Sequence, residues 1–271
     1  MPYGICPSCL NPIRLIGLEC ESKQRPYGKH AGETIQGLPV WKKQRYEYCP
    51  FASKNDRRAP NEDDLLPEID DGVIELYELL RKEFDRVVYL LQKELHIRCS
   101  DVFWRRALHQ FVVNRVYCYP WLTESNLPYI FALRGLQQSN CYGQKFEVDT
   151  DLYRALGNHP AVQFEDVRTH TDEIDPKYKR LRQKQGRFLK LVFRLTEHKQ
   201  IAEDGHTLKE TMKFCVDDNL TGQTIHEETI EFDESYFTNL ISAANSERYR
   251  VQKYLDMANE CMPPLELTDN N

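Results

Sequence analysis

Cys6-Pro7-Ser8-Cys9 restricts this chain more than any other four residues in it. Two thiolates separated by two residues can grip one tetrahedral metal ion from a tight turn whose amides point at sulfur, and such a turn needs two further ligands from elsewhere. Cys49-Pro50 within YCPFA repeats the Cys-Pro start of ICPSC, which makes Cys49 the expected third ligand. For the fourth position Cys20, at the end of an apolar run, competes with His30, which stands in a loop with glycines close by. His30 is favoured, because small neighbours let a ligand reach inward with little obstruction. The expected site is therefore Cys6, Cys9, His30 and Cys49 around a structural Zn²⁺. Four protein ligands leave no position for a catalytic water.

The residues around these ligands are rich in Cys, Pro, Gly and Tyr and poor in helical periodicity, which predicts a loop-rich, zinc-ribbon-like module over 1–60. The acidic run from Glu62 to Asp71, broken by Pro67, then marks an approach to a helix, with Asp70 or Asp71 placed to cap it. From there Val73, Leu76, Leu80, Phe84, Val87, Leu91 and Leu95 recur at steps of three and four, the signature of an amphipathic helix of about 24 residues. A second helix is predicted from Ser100 or Asp101 to the stop at Pro120, and a third over 123–138, completing a helical unit over 61–140. In 141–271 a short helix ending at Gly157 precedes a change of period. Leu189, Leu191, Phe193 and Leu195 alternate with polar residues, as in a strand, and two more strands follow around a turn at Asp218, Asn219 and Gly222. A closing helix is expected from Glu234 or Ser235 to about Ala258. The fold class is α+β: zinc module, helical unit, then an antiparallel sheet closed by a helix.

A chain of 271 residues, 41% hydrophobic and 29% charged, can bury a full core without staples. No run approaches the ~18 apolar residues of a membrane span, and MPYGICPSC lacks the pattern of a secretory leader. With nine cysteines, an odd number, and only one motif pair among them, a disulfide framework is not expected, and a reducing cytoplasm is. Cys99, Cys118, Cys141, Cys215 and Cys261 read as ordinary buried cysteines.

Charge is unevenly spread. The net −6 resolves into +5 over 1–60, −7 over 61–75, −2 over 76–175, +8 over 176–199 and −10 over 200–271. The two basic blocks point to nucleic acid or a nucleoprotein as partner, through Lys42, Lys43 and Arg45 beside Trp41, Tyr46 and Tyr48, and through Lys177, Lys179, Arg180 and Arg182 in a stretch of helix-compatible spacing. Protein docking through the zinc module is the other binding expectation.

Signatures of phosphate loops, dinucleotide folds, nucleophile elbows and zincins are absent. One catalytic constellation stands out: Glu197 and Lys199 share one face near the end of a predicted strand and, with an acid from a neighbouring element, can hold Mg²⁺ for phosphodiester cleavage. Asp175, or Asp217 with Asp218, is the candidate acid. Glu197-His198-Lys199 resembles the Glu-x-Lys half-motif of the restriction-endonuclease-like nucleases, which implies a metal-dependent nuclease as the alternative to a non-enzymatic binding protein.

Overall fold

The computed structural model describes residues 2–18, 26–53, 55–58, 61, 63–169, 171–203, 207–243 and 250–265. It is a mixed α+β structure with antiparallel sheets and, among the described residues, seven α-helices. Strands β1 (Tyr3–Ile5), β2 (Pro12–Ile16) and β3 (Tyr27–His30) form a small sheet in that order, followed by the short helix α1 (Lys43–Glu47).

Helix α2 (Asp71–Glu94) matches the predicted apolar stripe. Asp70 caps it, its side chain accepting the Val73 amide at 2.9 Å. The stripe is interrupted at Glu83, where the backbone leaves helical angles. There Glu83 and Asp85 are buried and receive Arg86 and, from just before α7 (Gln252–Cys261), Arg250. These cations compensate carboxylates that could not otherwise be taken out of water.

After β4 (Ile97–Arg98), Ser100 caps α3 (Asp101–Val113). This helix stops before Pro120 because Arg115 turns into the left-handed region and starts a 3₁₀ turn over Val116–Cys118. The reversal delivers Tyr117, Tyr119 and Trp121 into the core. Helix α4 (Leu127–Gly135) is shorter than the predicted 123–138, since Thr123 and Asn126 spend their polar groups on a turn in front of it. Its residues are buried almost all round, so it runs through the middle of the molecule.

Strands β5 (Ser139–Asn140) and β6 (Lys145–Glu147), helix α5 (Asp151–Gly157), and strands β7 (Val162–Arg168), β8 (Ile174–Gln183), β9 (Leu191–Glu203), β10 (Thr207–Asp218) and β11 (Gln223–Glu231) follow. They build two four-stranded sheets, ordered β4-β6-β8-β7 and β11-β10-β9-β5. The basic stretch from Lys177 therefore corrects its predicted helical spacing: it lies mainly in β8, where Tyr178 and Leu181 are buried from opposite faces among the cations. Clustered charge gave a helix-like period, but pairing with β6 and β7 decides the backbone. Among the described residues the closing helix is likewise two, α6 (Glu234–Ser242) and α7.

A hydrophobic cluster from Tyr48 to Met262 takes in α2, α3, α4 and residues of both four-stranded sheets. A separate small cluster joins Cys6, Cys9 and Cys49 to Ile13, Phe51 and Ala52. No helix of the described residues is long and apolar enough to cross a membrane.

Candidate metal centre

Three local devices bring in the four side chains. After β1 the chain reverses over Cys6–Leu10: the Leu10 amide donates to the Cys6 carbonyl and the Cys6 amide to the Asn11 carbonyl, both at 2.9 Å. Leu10 completes the turn in the left-handed region, at φ 60°. His30 ends β3 opposite Ile13 of β2, which carries its ring back to the turn. Cys49 follows α1, its amide bonded to the Tyr46 carbonyl at 2.9 Å.

The ligand atoms of Cys6, Cys9, His30 and Cys49 all lie within 4.8 Å of one another, and the four residues can hold a metal ion. Cys6 and Cys49 sulfurs are 3.7 Å apart, and His30 Nε2 is 3.2 Å from Cys9 Sγ and 3.6 Å from Cys49 Sγ. All three cysteines are buried, while His30 is half-buried with its ring edge against Trp41 and Tyr46. Without a cation the sulfurs cannot share charge evenly. Hydrogen bonds from Cys49 and Cys9 hold the Cys6 thiol far below the usual thiol range, and the bond to Cys6 pushes Cys49 far above it. A bound cation would let all three act as thiolates. Cys20, the competing fourth ligand, lies outside the described residues. The eight described cysteines are free of disulfides.

Asn11, which the sequence does not single out, braces the site. Buried to 1% exposure, it donates to the Lys42 carbonyl at 3.0 Å, accepts the Lys42 amide at 2.7 Å and points Nδ2 at Cys9 Sγ, 3.5 Å away. Its only sequence signal is its place two residues after Cys9.

The basic residues have diverse fates. Arg45 is buried and engages Asp70 with two nitrogens. Lys42 also reaches Asp70, while Lys43 is strongly exposed with only a loose pair to Glu47 at 3.7 Å. In β8, Lys177 pairs with Glu147, Lys179 with Asp166 and Arg182 with Glu165, leaving Arg180 with no ion pair among the described residues.

The carboxylates considered for catalysis do not converge. Glu197 and Lys199 do share a face, 3.0 Å apart, but Glu197 also holds Lys213 at 3.0 Å, which in turn reaches Glu227. Asp175 stands in the other four-stranded sheet, paired with Arg98, and Asp217 pairs with Arg194. Among the described residues, the cysteine and histidine cluster is the one group of three or more metal-ligating side chains that comes together.

Fold and site thus define a mixed α+β chain with an N-terminal Cys₃His cluster able to hold a metal. Scans against protein-family models, curated proteins and solved structures found no match for it.

Proposed function

We propose that this is a zinc-stabilised binding protein whose N-terminal module contacts single-stranded nucleic acid. The donor spacing supports zinc: with Zn–S near 2.3 Å and Zn–N near 2.0–2.1 Å, tetrahedral angles set sulfurs about 3.8 Å apart and sulfur about 3.6 Å from nitrogen. The separations of 3.7 Å for Cys6–Cys49 and 3.6 Å for Cys49–His30 match both, while Cys9–His30 at 3.2 Å is shorter than a tetrahedral site sets. Three thiolates and an imidazole suit zinc over a hard cation, and the closed set assigns it a structural role.

The observation that carries the nucleic-acid reading is the cleft beside the cluster. Trp41 and Tyr46, with ring centroids 5.2 Å apart, line a space of about 600 Å³ together with Lys43, Arg57 and Arg58. Rings that can stack on bases beside cations that can meet phosphates are the two components of sequence-tolerant single-strand binding. Glu47, which pairs with Arg58 at 3.0 Å, and Asp56 also line it, and Arg57 donates to the Gln200 carbonyl, which moderates the charge and favours a contact of few phosphates.

The test is fluorescence anisotropy of a labelled single-stranded oligonucleotide against the zinc-loaded chain across a salt series. Affinity is expected to fall linearly on log–log axes with a slope of about −1 to −3, and Trp41→Ala and Lys43→Glu are each expected to weaken it. A flat salt response, or full affinity in Trp41→Ala, removes the reading.

A further inference from the structure

Three cations stand in one row across the β4-β6-β8 sheet. Arg98 is directly opposite Lys145, and Lys145 directly opposite Arg180, so the three side chains share a face on adjacent strands. Like charges placed directly across a ladder repel. Burial depresses the Lys145 ammonium below its usual range first, and its neighbours Arg180 and Arg98 depress it further.

The row opens into a pocket of about 420 Å³, a size that suits a small molecule, where Lys253 of α7 joins as a fourth cation. Asp101 is the one carboxylate lining it, and it is occupied by Lys253 at 2.7 Å. Outside the lining, Asp175 compensates Arg98 at 3.5 Å, and Arg98 also lies over the Tyr178 ring. Lys145 and Arg180 form no ion pair among the described residues: Asp175 acts on Lys145 only at a distance, and Glu165, directly opposite Arg180 on β7, pairs with Arg182 instead. Elsewhere in this sheet the cations of β8 form ion pairs with acids from β6 and β7, so two cations without one are a local exception.

We propose that this pocket binds the terminal phosphate of a phosphorylated small molecule, with Lys145 and Arg180 as its principal contacts and Arg98 and Lys253 at its rim. A dianionic phosphate monoester offers two charges and several acceptor oxygens to two unpaired donors, and Arg180 can engage it with two N–H groups. A phosphodiester in a chain offers a single charge and has both ends continuing. The site is separate from the aromatic cleft beside the cysteines and stands without it.

The experiment uses the zinc-loaded full chain at low ionic strength, with inorganic phosphate as probe, followed by thermal melting and isothermal calorimetry. Phosphate is expected to raise the melting temperature saturably, and more than sodium chloride does at matched ionic strength. Lys145→Gln and Arg180→Met are each expected to weaken phosphate binding about tenfold or more, while Lys179→Met binds as the parent does. Without phosphate, Arg180→Met should melt no lower than the parent, because it relieves repulsion; a purely structural arginine would cost stability. Should Arg180→Met not fold, Lys145→Gln decides alone. Equal effects of chloride and phosphate, or unchanged binding in the folded variants, overturn the proposal. So does a single-stranded oligonucleotide without terminal phosphates that displaces inorganic phosphate from the pocket.

Discussion

Asp70 Oδ1 accepts the Val73 amide at 2.9 Å and the Arg45 guanidinium at 2.7 Å. One carboxylate therefore starts the long helix α2 and fastens α1 to it, and Lys42 adds a second cation from the same segment. Cys49 stands just past the end of α1, so the clamp also fixes where the third thiol lies relative to the helical core. Gly72 is part of the fit: a Cβ there would stand 3.1 Å from Leu10 and 3.2 Å from the Arg45 guanidinium.

This clamp gives acid sensitivity a defined sign. Burial alone would raise the Asp70 carboxyl, but the Lys42 hydrogen bond and the Arg45 charge outweigh it and hold the group below its ordinary value of 3.8. A carboxyl whose folded value is depressed contributes stability that is present above the unfolded value and is lost as pH falls through the folded one. Urea unfolding of the zinc-loaded chain from pH 6 down to pH 3 should show stability falling through and below the ordinary carboxylate range. Asp70→Asn, which keeps the shape without the charge, should lose about 1–3 kcal/mol at pH 6 and narrow the gap to the parent as pH falls. A gap that stays constant with pH would assign the loss to shape rather than charge.

Metal analysis checks the centre. One zinc per chain is expected, lost in Cys6→Ser, Cys9→Ser, Cys49→Ser and His30→Ala and retained in Cys20→Ser. Asn11 orients Cys9 without ligating, and groups of that kind are worth about 10–100-fold in metal affinity. Asn11→Leu is accordingly expected to bind zinc with an affinity reduced by that factor, measured by competition with a chromophoric chelator. Chelation should raise amide exchange in β1–β3 while leaving α2 and α4 protected; uniform exchange throughout would mean the metal supports the whole core.

Helix α4 crosses α3 at Gly135, where a Cβ would stand 3.1 Å from the Ala107 carbonyl oxygen. That neighbour is backbone inside α3 and has little freedom to retreat. Gly135→Val is expected to destabilise by about 1–3 kcal/mol in chemical unfolding, with little change in the denaturant slope. Gly135→Ala should cost less, since the better helix propensity of alanine partly offsets the crowding.

What was legible in the sequence was local. The cysteine spacing, the Asp70 and Ser100 caps and the apolar step of α2 each depend on residues a few positions apart, and each appears where those patterns place it. Arg45 reads as a surface cation because its partner lies 25 residues away in the sequence. The row Arg98, Lys145 and Arg180 is invisible along the chain, because it exists only once β4, β6 and β8 are in register. β9 shows the same limit within one strand. Its alternation buries Leu191, Phe193 and Leu195, but a bulge opposite Met212, with Glu197 at φ 55°, shifts the phase so that His198 and Gln200 turn inward.

That phase shift sets two carboxylates against each other as a test. Glu197 ends on the surface between Lys199 and Lys213, whereas Glu210 of β10 is 2% exposed and accepts hydrogen bonds from Asn126 at 2.9 Å and from Gln200, with His198 Nε2 3.6 Å away. Exposed pairs contribute about 0–1 kcal/mol because water and salt screen them. Removing one member of a buried polar group leaves its partners unsatisfied and costs about 3–5 kcal/mol. Glu197→Ala should therefore unfold within about 1 kcal/mol of the parent and show no loss of any Mg²⁺-dependent cleavage of plasmid or RNA, because among the described residues no group of three or more metal-ligating side chains includes it. Glu210→Ala should be severely destabilised, and Glu210→Gln, which keeps an acceptor for Asn126, should recover part of the difference. Equal costs for Glu197→Ala and Glu210→Ala would contradict the inward phase of β9 beyond the bulge, and cleavage that Glu197→Ala abolishes would raise the nuclease from alternative to leading reading.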